Sequence, residues 1–194
     1  MKKYFISLAI FVTSLFTISS FANAAPSNPY VSTSYGYQLD LKNTKKHQQQ
    51  EYGYSQDDHG FVTGTIGAYL TPNTKVQLEY SKMKANGNIG ATETTQQNIN
   101  VVGILPIGRL FNTLDVYTLA GAGYTSLETE NIKGKEESAT AILGTGIEYQ
   151  FNPTVSLISE VRTNYDVNIN TWTPSATVGL KFDINGVVNS ALGR

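Results

Sequence analysis

From residue 30 to residue 184 the sequence alternates between apolar and polar side chains, and this two-residue period predicts β-strands. In residues 30–41, Val31 and Leu39 fall on one face, whereas Ser32 and Ser34 fall on the other. Eight strands are predicted in this way, at residues 30–41, 61–70, 75–83, 97–105, 115–127, 139–151, 155–165 and 176–184. Most are about ten residues long, which is the length that a tilted strand needs to cross a bilayer.

The connections between the predicted strands alternate between two kinds. The first, third, fifth and seventh are long and polar, and they comprise residues 42–58, 84–96, 128–138 and 166–173. The second, fourth and sixth are shorter, and they comprise residues 71–74, 106–114 and 152–154. Long loops on one rim and tight turns on the other are typical of outer-membrane barrels. We therefore predict an all-β chain that forms an eight-stranded antiparallel up-and-down transmembrane β-barrel.

The first residues have the pattern of a signal for export. Lys2 and Lys3 precede an apolar run, and the segment ends in Ala22-Asn23-Ala24, which is typical of a cleaved secretory signal peptide. We predict a signal peptide at residues 1–24, a barrel at residues 25–184 and a short periplasmic tail at residues 185–194. The predicted location is the outer membrane of a Gram-negative cell.

The composition disfavours several classes of function. The chain has 14 Lys and Arg against 15 Asp and Glu, so it lacks the basic surface on which nucleic-acid binding depends. It has no Cys, which excludes a disulfide framework and a Cys-ligated zinc site. Its two histidines, His47 and His59, stand apart in polar segments. We predict no metal site and no cofactor.

The polar faces of the strands are rich in Gly, Ser and Thr, which suit the crowded interior of an eight-stranded barrel. Charged residues also lie on these faces, and charges removed from bulk water must be paired. We predict that five of them form an interior ion-pair network: Glu79, Glu148, Glu160, Arg162 and Lys181.

Aromatic residues fall near the ends of the predicted strands. Rings at both ends of a membrane crossing would lie at the two headgroup layers. The residues that we assign to such an aromatic girdle are Tyr30, Tyr69, Tyr80, Tyr124, Phe151, Tyr165, Trp172 and Phe182.

Two motifs carry a resemblance to a known family. Residues 114–118 read Leu-Asp-Val-Tyr-Thr, and residues 144–149 read Gly-Thr-Gly-Ile-Glu-Tyr, followed by Pro153 and Glu160. Over residues 28–184 the chain resembles the transmembrane domain of the outer membrane protein A family and its small single-domain relatives. The resemblance implies a monomer with periplasmic termini, surface loops and a lumen plugged by a Glu paired with Arg or Lys.

The resemblance assigns this plug residue by residue. Glu148 and Glu79 match the acidic positions of the family. Val102 and Ile158 occupy positions where the family often has Lys and Arg, so the basic role would pass to Arg162 and Lys181.

The function that follows is non-enzymatic: an outer-membrane barrel with a structural or surface-contact (adhesion) role. Expected partners are outer-membrane lipid and lipopolysaccharide, whose phosphates Lys42, Lys45 and Lys46 would meet. A host or cell-surface partner would bind through loops 42–58 and 84–96.

Three other functions stay open at this point. Rearranged interior charges would make the barrel a narrow porin-like channel. A lipid A hydrolase or a surface protease would need a base, and His59 follows Asp57 and Asp58. A soluble periplasmic barrel would instead enclose an apolar ligand.

Overall fold

The structure is a computed structural model that describes residues 28–39, 60–71, 74–86, 93–111, 113–129, 135–168 and 170–185. The predicted signal peptide, the first loop at residues 42–58 and residues 186–194 of the tail lie outside these ranges. Within the ranges, no helix is long and apolar enough to cross a membrane.

Eight antiparallel strands form one closed barrel, as the sequence predicts. They are β1 (Pro29–Gln38), β2 (Gly60–Tyr69), β3 (Lys75–Asn86), β4 (Glu93–Leu110), β5 (Leu114–Thr129), β6 (Lys135–Gln150), β7 (Val155–Asp166) and β8 (Thr171–Asp183). Each strand pairs with its neighbour in the sequence, and β8 pairs with β1 to close the barrel. Every strand edge is thus paired, so the sheet needs no partner from outside.

The alternation of side chains sorts the strands into an apolar outer surface and a mixed interior. Ile66, Leu143 and Val178 are each more than half exposed on the outside. Their neighbours along the strands point inward and are buried, among them Thr65 and Thr177. A surface of exposed aliphatic side chains suits lipid and not water, because a soluble barrel turns its apolar faces inward.

Strands β3 to β8 are longer than predicted, whereas β2 has the predicted length and β1 ends at Gln38 and not at residue 41. β3 runs to Asn86 and β4 begins at Glu93, so both ends of the predicted loop 84–96 belong to strands. The ends of the predicted loops 128–138 and 166–173 likewise belong to strands, because β5 runs to Thr129, β6 begins at Lys135, β7 runs to Asp166 and β8 begins at Thr171. Polar residues at these strand ends pair as readily as apolar ones, because the hairpin ladder continues wherever backbone groups face each other.

The predicted connection at residues 106–114 is mostly strand. β4 continues to Leu110 and pairs with the start of β5, with a register shift between Pro106 and Gly108. This β-bulge interrupts the alternation that the prediction relied on. The connection that remains begins at Phe111, which takes a φ of 52°. The rim of the barrel where it lies also holds the connections from β2 to β3 and from β6 to β7, together with the start of β1 and the end of β8. We call it the turn rim, and we call the opposite rim the loop rim.

Three aromatic rings inside the barrel each lie over a glycine of the neighbouring strand. These ring–glycine pairs are Tyr30 with Gly67, Phe61 with Gly36, and Tyr117 with Gly146. A Cβ atom on Gly146 would lie 2.5 Å from Cζ of Tyr117, too close for any side chain. The glycines therefore create the space that lets large rings enter a narrow eight-stranded lumen.

Candidate functional site

The interior holds two groups of ion pairs, one nearer each rim. The first, which we call the loop-side cluster, consists of Glu79 on β3 with Glu160 and Arg162 on β7. Arg162 Nη1 lies 2.6 Å from Glu79 Oε2, and its Nη2 lies 3.2 Å from Glu79 Oε1. The same Nη2 also donates to Glu160 Oε2. The guanidinium therefore joins two carboxylates from different strands across the lumen.

Neutral side chains complete the hydrogen bonding of these carboxylates. Gln77 Nε2 donates to Glu79 Oε1 over 2.6 Å, and Asn100 Nδ2 donates to Glu79 Oε2 over 3.4 Å. The hydroxyl of Tyr117 donates to Glu160 Oε1 over 2.9 Å. Glu79 is only 1% exposed, so these bonds replace the water that the carboxylate loses.

The turn-side cluster consists of Glu148 on β6 between two ammonium groups, Lys75 of β3 and Lys181 of β8. Lys75 Nζ donates to Glu148 Oε2 over 2.6 Å, and Lys181 Nζ pairs with Glu148 Oε1. Lys181 Nζ also donates to the hydroxyl of Tyr69 over 2.8 Å. One carboxylate thus holds two cations, and the ring of Tyr69 faces both of them.

Tyr30 and Gln77 connect the two clusters. The ammonium of Lys181 lies 5.3 Å from the centre of the Tyr30 ring, and the Tyr30 hydroxyl donates to Gln77 Oε1 over 2.8 Å. Gln77 in turn donates to Glu79. The loop-side cluster carries two acids and one base, and the turn-side cluster carries one acid and two bases. The six charges therefore cancel within the barrel.

Part of the wall formed by β4, β5 and β6 is apolar inside the lumen. Its buried side chains are Val102, Ile104, Tyr117, Leu119 and Ile142. Among these five side chains, the Tyr117 hydroxyl is the only polar group that could bind water. These five side chains, which we call the apolar wall, pack against one another in a buried cluster.

All five residues predicted for the interior network lie in the lumen and make ion pairs there. The prediction omitted Lys75, which pairs with Glu148. A signal for it was present in the sequence, because Lys75 is two and four residues from Gln77 and Glu79 and so shares their face.

The prediction of an aromatic girdle is wrong for two residues, Tyr30 and Tyr69. Tyr30 is only 1% exposed and Tyr69 contacts Lys181, so both rings belong to the lumen. The physical reason is the alternation of the strand: Tyr30 has the same parity as the inward residues Ser32 and Gln38. Tyr69 likewise falls on the inward face of β2.

The other six predicted girdle residues lie on the outer surface. Tyr80, Tyr124, Tyr165 and Trp172 are near the loop rim, whereas Phe151 and Phe182 are at the turn rim. The rings of Tyr165 and Trp172 are in contact, with centres 4.9 Å apart. Two tyrosines outside the prediction, Tyr35 and Tyr37, are also exposed on this surface near the loop end of β1.

Among the described residues, no group of three His, Asp or Glu side chains could hold a metal ion. The histidines considered for catalysis, His47 and His59, lie outside the described residues.

Comparison with known proteins finds outer-membrane β-barrels by sequence and by structure. The family model described as outer membrane protein beta-barrel domain matches residues 8–182. The chain is 24% identical over 188 residues to outer membrane porin F of Pseudomonas fluorescens, covering 93% of this chain and 55% of the porin. The chain thus spans about half the length of that relative.

Two solved structures share the fold. The N-terminal β-barrel domain of OprF from Pseudomonas aeruginosa aligns with a TM-score of 0.53 and 17% identity, covering 80% of this chain and 99% of that domain. Neisserial surface protein A aligns with a TM-score of 0.58 and 15% identity, covering 84% of this chain and all of the other.

Proposed function

Since this chain belongs to the outer membrane protein beta-barrel family, we propose that it is a non-conducting structural barrel that displays its loops at the cell surface. The family's relatives are outer-membrane proteins, which indicates the same location for this chain. Export through a signal peptide at residues 1–24 is part of the proposal.

The ion pairs across the lumen are the observation that supports this function. They join β3 to β6 and β7, and β8 to β6, and the buried charges hold one another in place. An ion crossing the barrel would have to separate at least one buried ion pair. Such a barrel acts mechanically, because it fixes the depth and spacing of whatever its loops present.

We expect the folded protein to produce no uniform conductance steps in planar lipid bilayers, because both clusters block the lumen. Folding of the same preparation is checked by heat-dependent migration on a detergent gel, since a closed barrel resists the detergent until it is heated. Discrete and reproducible steps from folded protein would contradict the structural function.

Such steps would favour the second candidate, a narrow channel. The similarity to a protein named as a porin supports it, although this chain spans only 55% of that protein. A channel would require Arg162 to leave Glu79 or Glu160, so the current should change when Arg162 is substituted. A background leak would not respond in this way.

The proposed partners include outer-membrane lipid and lipopolysaccharide. Lys42, Lys45 and Lys46 belong to the loop outside the described residues, but Lys82 offers a described cation. It is exposed on the outer face of β3, two residues nearer the loop rim than Tyr80. A lysine above an aromatic ring is placed to meet phosphates of the outer leaflet.

We expect Lys82→Ala to weaken binding of phosphorylated lipid A about fivefold, because one lysine near an anionic surface contributes about 1 kcal/mol. Binding would be measured as fluorescence of labelled lipid A added to the folded protein. Arg109→Ala is the matched control, because Arg109 is an exposed cation at the turn rim. Equal binding by wild type and Lys82→Ala, or equal loss with lipid A lacking phosphates, would contradict the proposal.

The proposal makes the protein non-enzymatic, with any host or cell-surface partner bound through residues 42–58 and through the connection between β3 and β4. The chemistry of the lumen supports this, because its charged groups pair with one another.

A further inference from the structure

Between the loop-side cluster and the loop rim, the lumen widens into a polar vestibule of about 60 Å³. Arg162 and Glu79 form its floor, and amide and hydroxyl side chains cover much of its wall. A single water needs roughly 10–15 Å³ of such space, so the vestibule has room for a small cluster of waters or part of a small solute.

Three buried polar atoms in this vestibule have no hydrogen-bond partner among the described residues. They are Arg162 Nε, Asn164 Oδ1 and Ser175 Oγ. Arg162 and Asn164 are successive inward residues of β7, and Ser175 is the direct partner of Arg162 on β8. Ser175 is 4% exposed and Arg162 is 8% exposed.

The position of these atoms points to a ligand. Buried polar groups in proteins are almost always paired, so an unpaired one needs an explanation, and an ordered water or a bound ligand is one such explanation. Here the three exceptions are neighbours, whereas Nη1 and Nη2 of Arg162 both donate to the carboxylates of Glu79 and Glu160. One bound group could satisfy more than one of them.

Their chemistry restricts what that group can be. The Nε–H of Arg162 needs an acceptor, so a cation cannot satisfy it. An anion is disfavoured, because Glu79, Glu160 and Asp166 outnumber the single guanidinium around the vestibule. A hydroxyl both donates and accepts, and so it can serve Arg162 Nε, Asn164 Oδ1 and Ser175 Oγ alike.

We propose that the vestibule is a binding site for neutral hydroxyl groups, held by Arg162 Nε, Asn164 Oδ1 and Ser175 Oγ. Two sources share this chemistry: water, or a small polyol that enters from the loop rim and replaces the water. The site is independent of whether the barrel conducts, because it lies on the outer side of the Arg162–Glu79 pair.

The Nε–H signals of arginine in a nitrogen-15 NMR spectrum of the folded protein test this proposal. The chain has only three arginines, at positions 109, 162 and 194. Arg109 Nε donates to Asp115 over 2.5 Å and so serves as an internal reference. Glycerol is the probe added, and cross-peaks between Nε–H and water report bound water.

Under the proposal, the Arg162 Nε–H gives a cross-peak to long-lived water. A shift of this signal that saturates with glycerol identifies polyol as a second occupant, whereas an unchanged cross-peak identifies water alone. Ser175→Ala should weaken glycerol binding about fivefold, or shorten the lifetime of the water, since one hydrogen bond is lost. Ser156→Ala is the matched control, because Ser156 is a buried inward serine near the turn rim.

The absence of both signals at Arg162, in protein whose gel migration shows a closed barrel, would overturn the proposal. Equal effects of Ser175→Ala and Ser156→Ala would also overturn it, because they would indicate a general loss of packing.

Discussion

Arg162→Met is expected to lower the free energy of unfolding by about 3–5 kcal/mol, because it leaves Glu79 and Glu160 buried without their cation. Methionine retains much of the volume of the arginine stem, so loss of packing contributes little. The measurement is urea-induced unfolding in lipid vesicles, followed by the fluorescence of Trp172, which is the single tryptophan of the chain.

Two controls separate the burial of the charge from the loss of an ion pair as such. Arg109→Met removes the exposed pair with Asp115, which solvent screens, so it should change the free energy of unfolding far less than Arg162→Met does. Adding Glu79→Gln and Glu160→Gln to Arg162→Met should recover most of the loss, since no charge of the cluster then remains. A loss below about 1 kcal/mol for Arg162→Met alone would show that water reaches the two carboxylates.

Leu143→Arg is the second substitution with a large expected effect. Leu143 lies at the middle of β6 and is 51% exposed on the outer surface. Arginine at the midplane of a transmembrane barrel costs about 2–4 kcal/mol, because its charge then lies in hydrocarbon. The same unfolding experiment in lipid vesicles measures this loss.

The control is Phe111→Arg, because Phe111 is 89% exposed in a turn at the turn rim, where a charge reaches water. We expect it to cost less than about 1 kcal/mol. In a soluble barrel, an exposed leucine replaced by arginine would change stability by about 0.5 kcal/mol at most. A negligible effect of Leu143→Arg would therefore mean that this face meets water and not lipid.

The eight strands and their direction could be predicted because alternation is a local property of the sequence. Each strand was recognised from about ten residues, and closure of the barrel follows from pairing of the first strand with the last. The bounds of β4 could not be found in this way. Its bulge near Pro106 shifts the parity, and pairing partners decide where a strand ends.

The candidate site could be predicted where each residue was assigned to the inward or outward face from the alternation along its strand. Glu79, Glu148, Glu160, Arg162 and Lys181 were assigned by face, and all five are in the lumen. Tyr30 and Tyr69 were assigned by their position near strand ends, and parity would have placed them inside. The contacts between residues far apart in the chain, such as Glu79 with Arg162, depend on the register of strands that the sequence does not display.

The apolar wall was the least predictable part of the interior. Val102 and Ile104 alternate with Val101 and Leu105, so this part of β4 is apolar on both faces. The two-residue period places Val102 and Ile104 on the inward face of Asn98 and Asn100, but their apolar character does not, because apolar residues elsewhere in the barrel face outward.

The ring–glycine pairs limit how this interior can diverge between related lineages. Each pair fills one fixed volume with two positions that are distant in the chain, such as Tyr117 and Gly146. A larger residue at the glycine would have to be accompanied by a smaller one in place of the ring, so the two positions must drift together. If the glycine and the ring exchange places between the two neighbouring strands, the same volume of the lumen stays occupied.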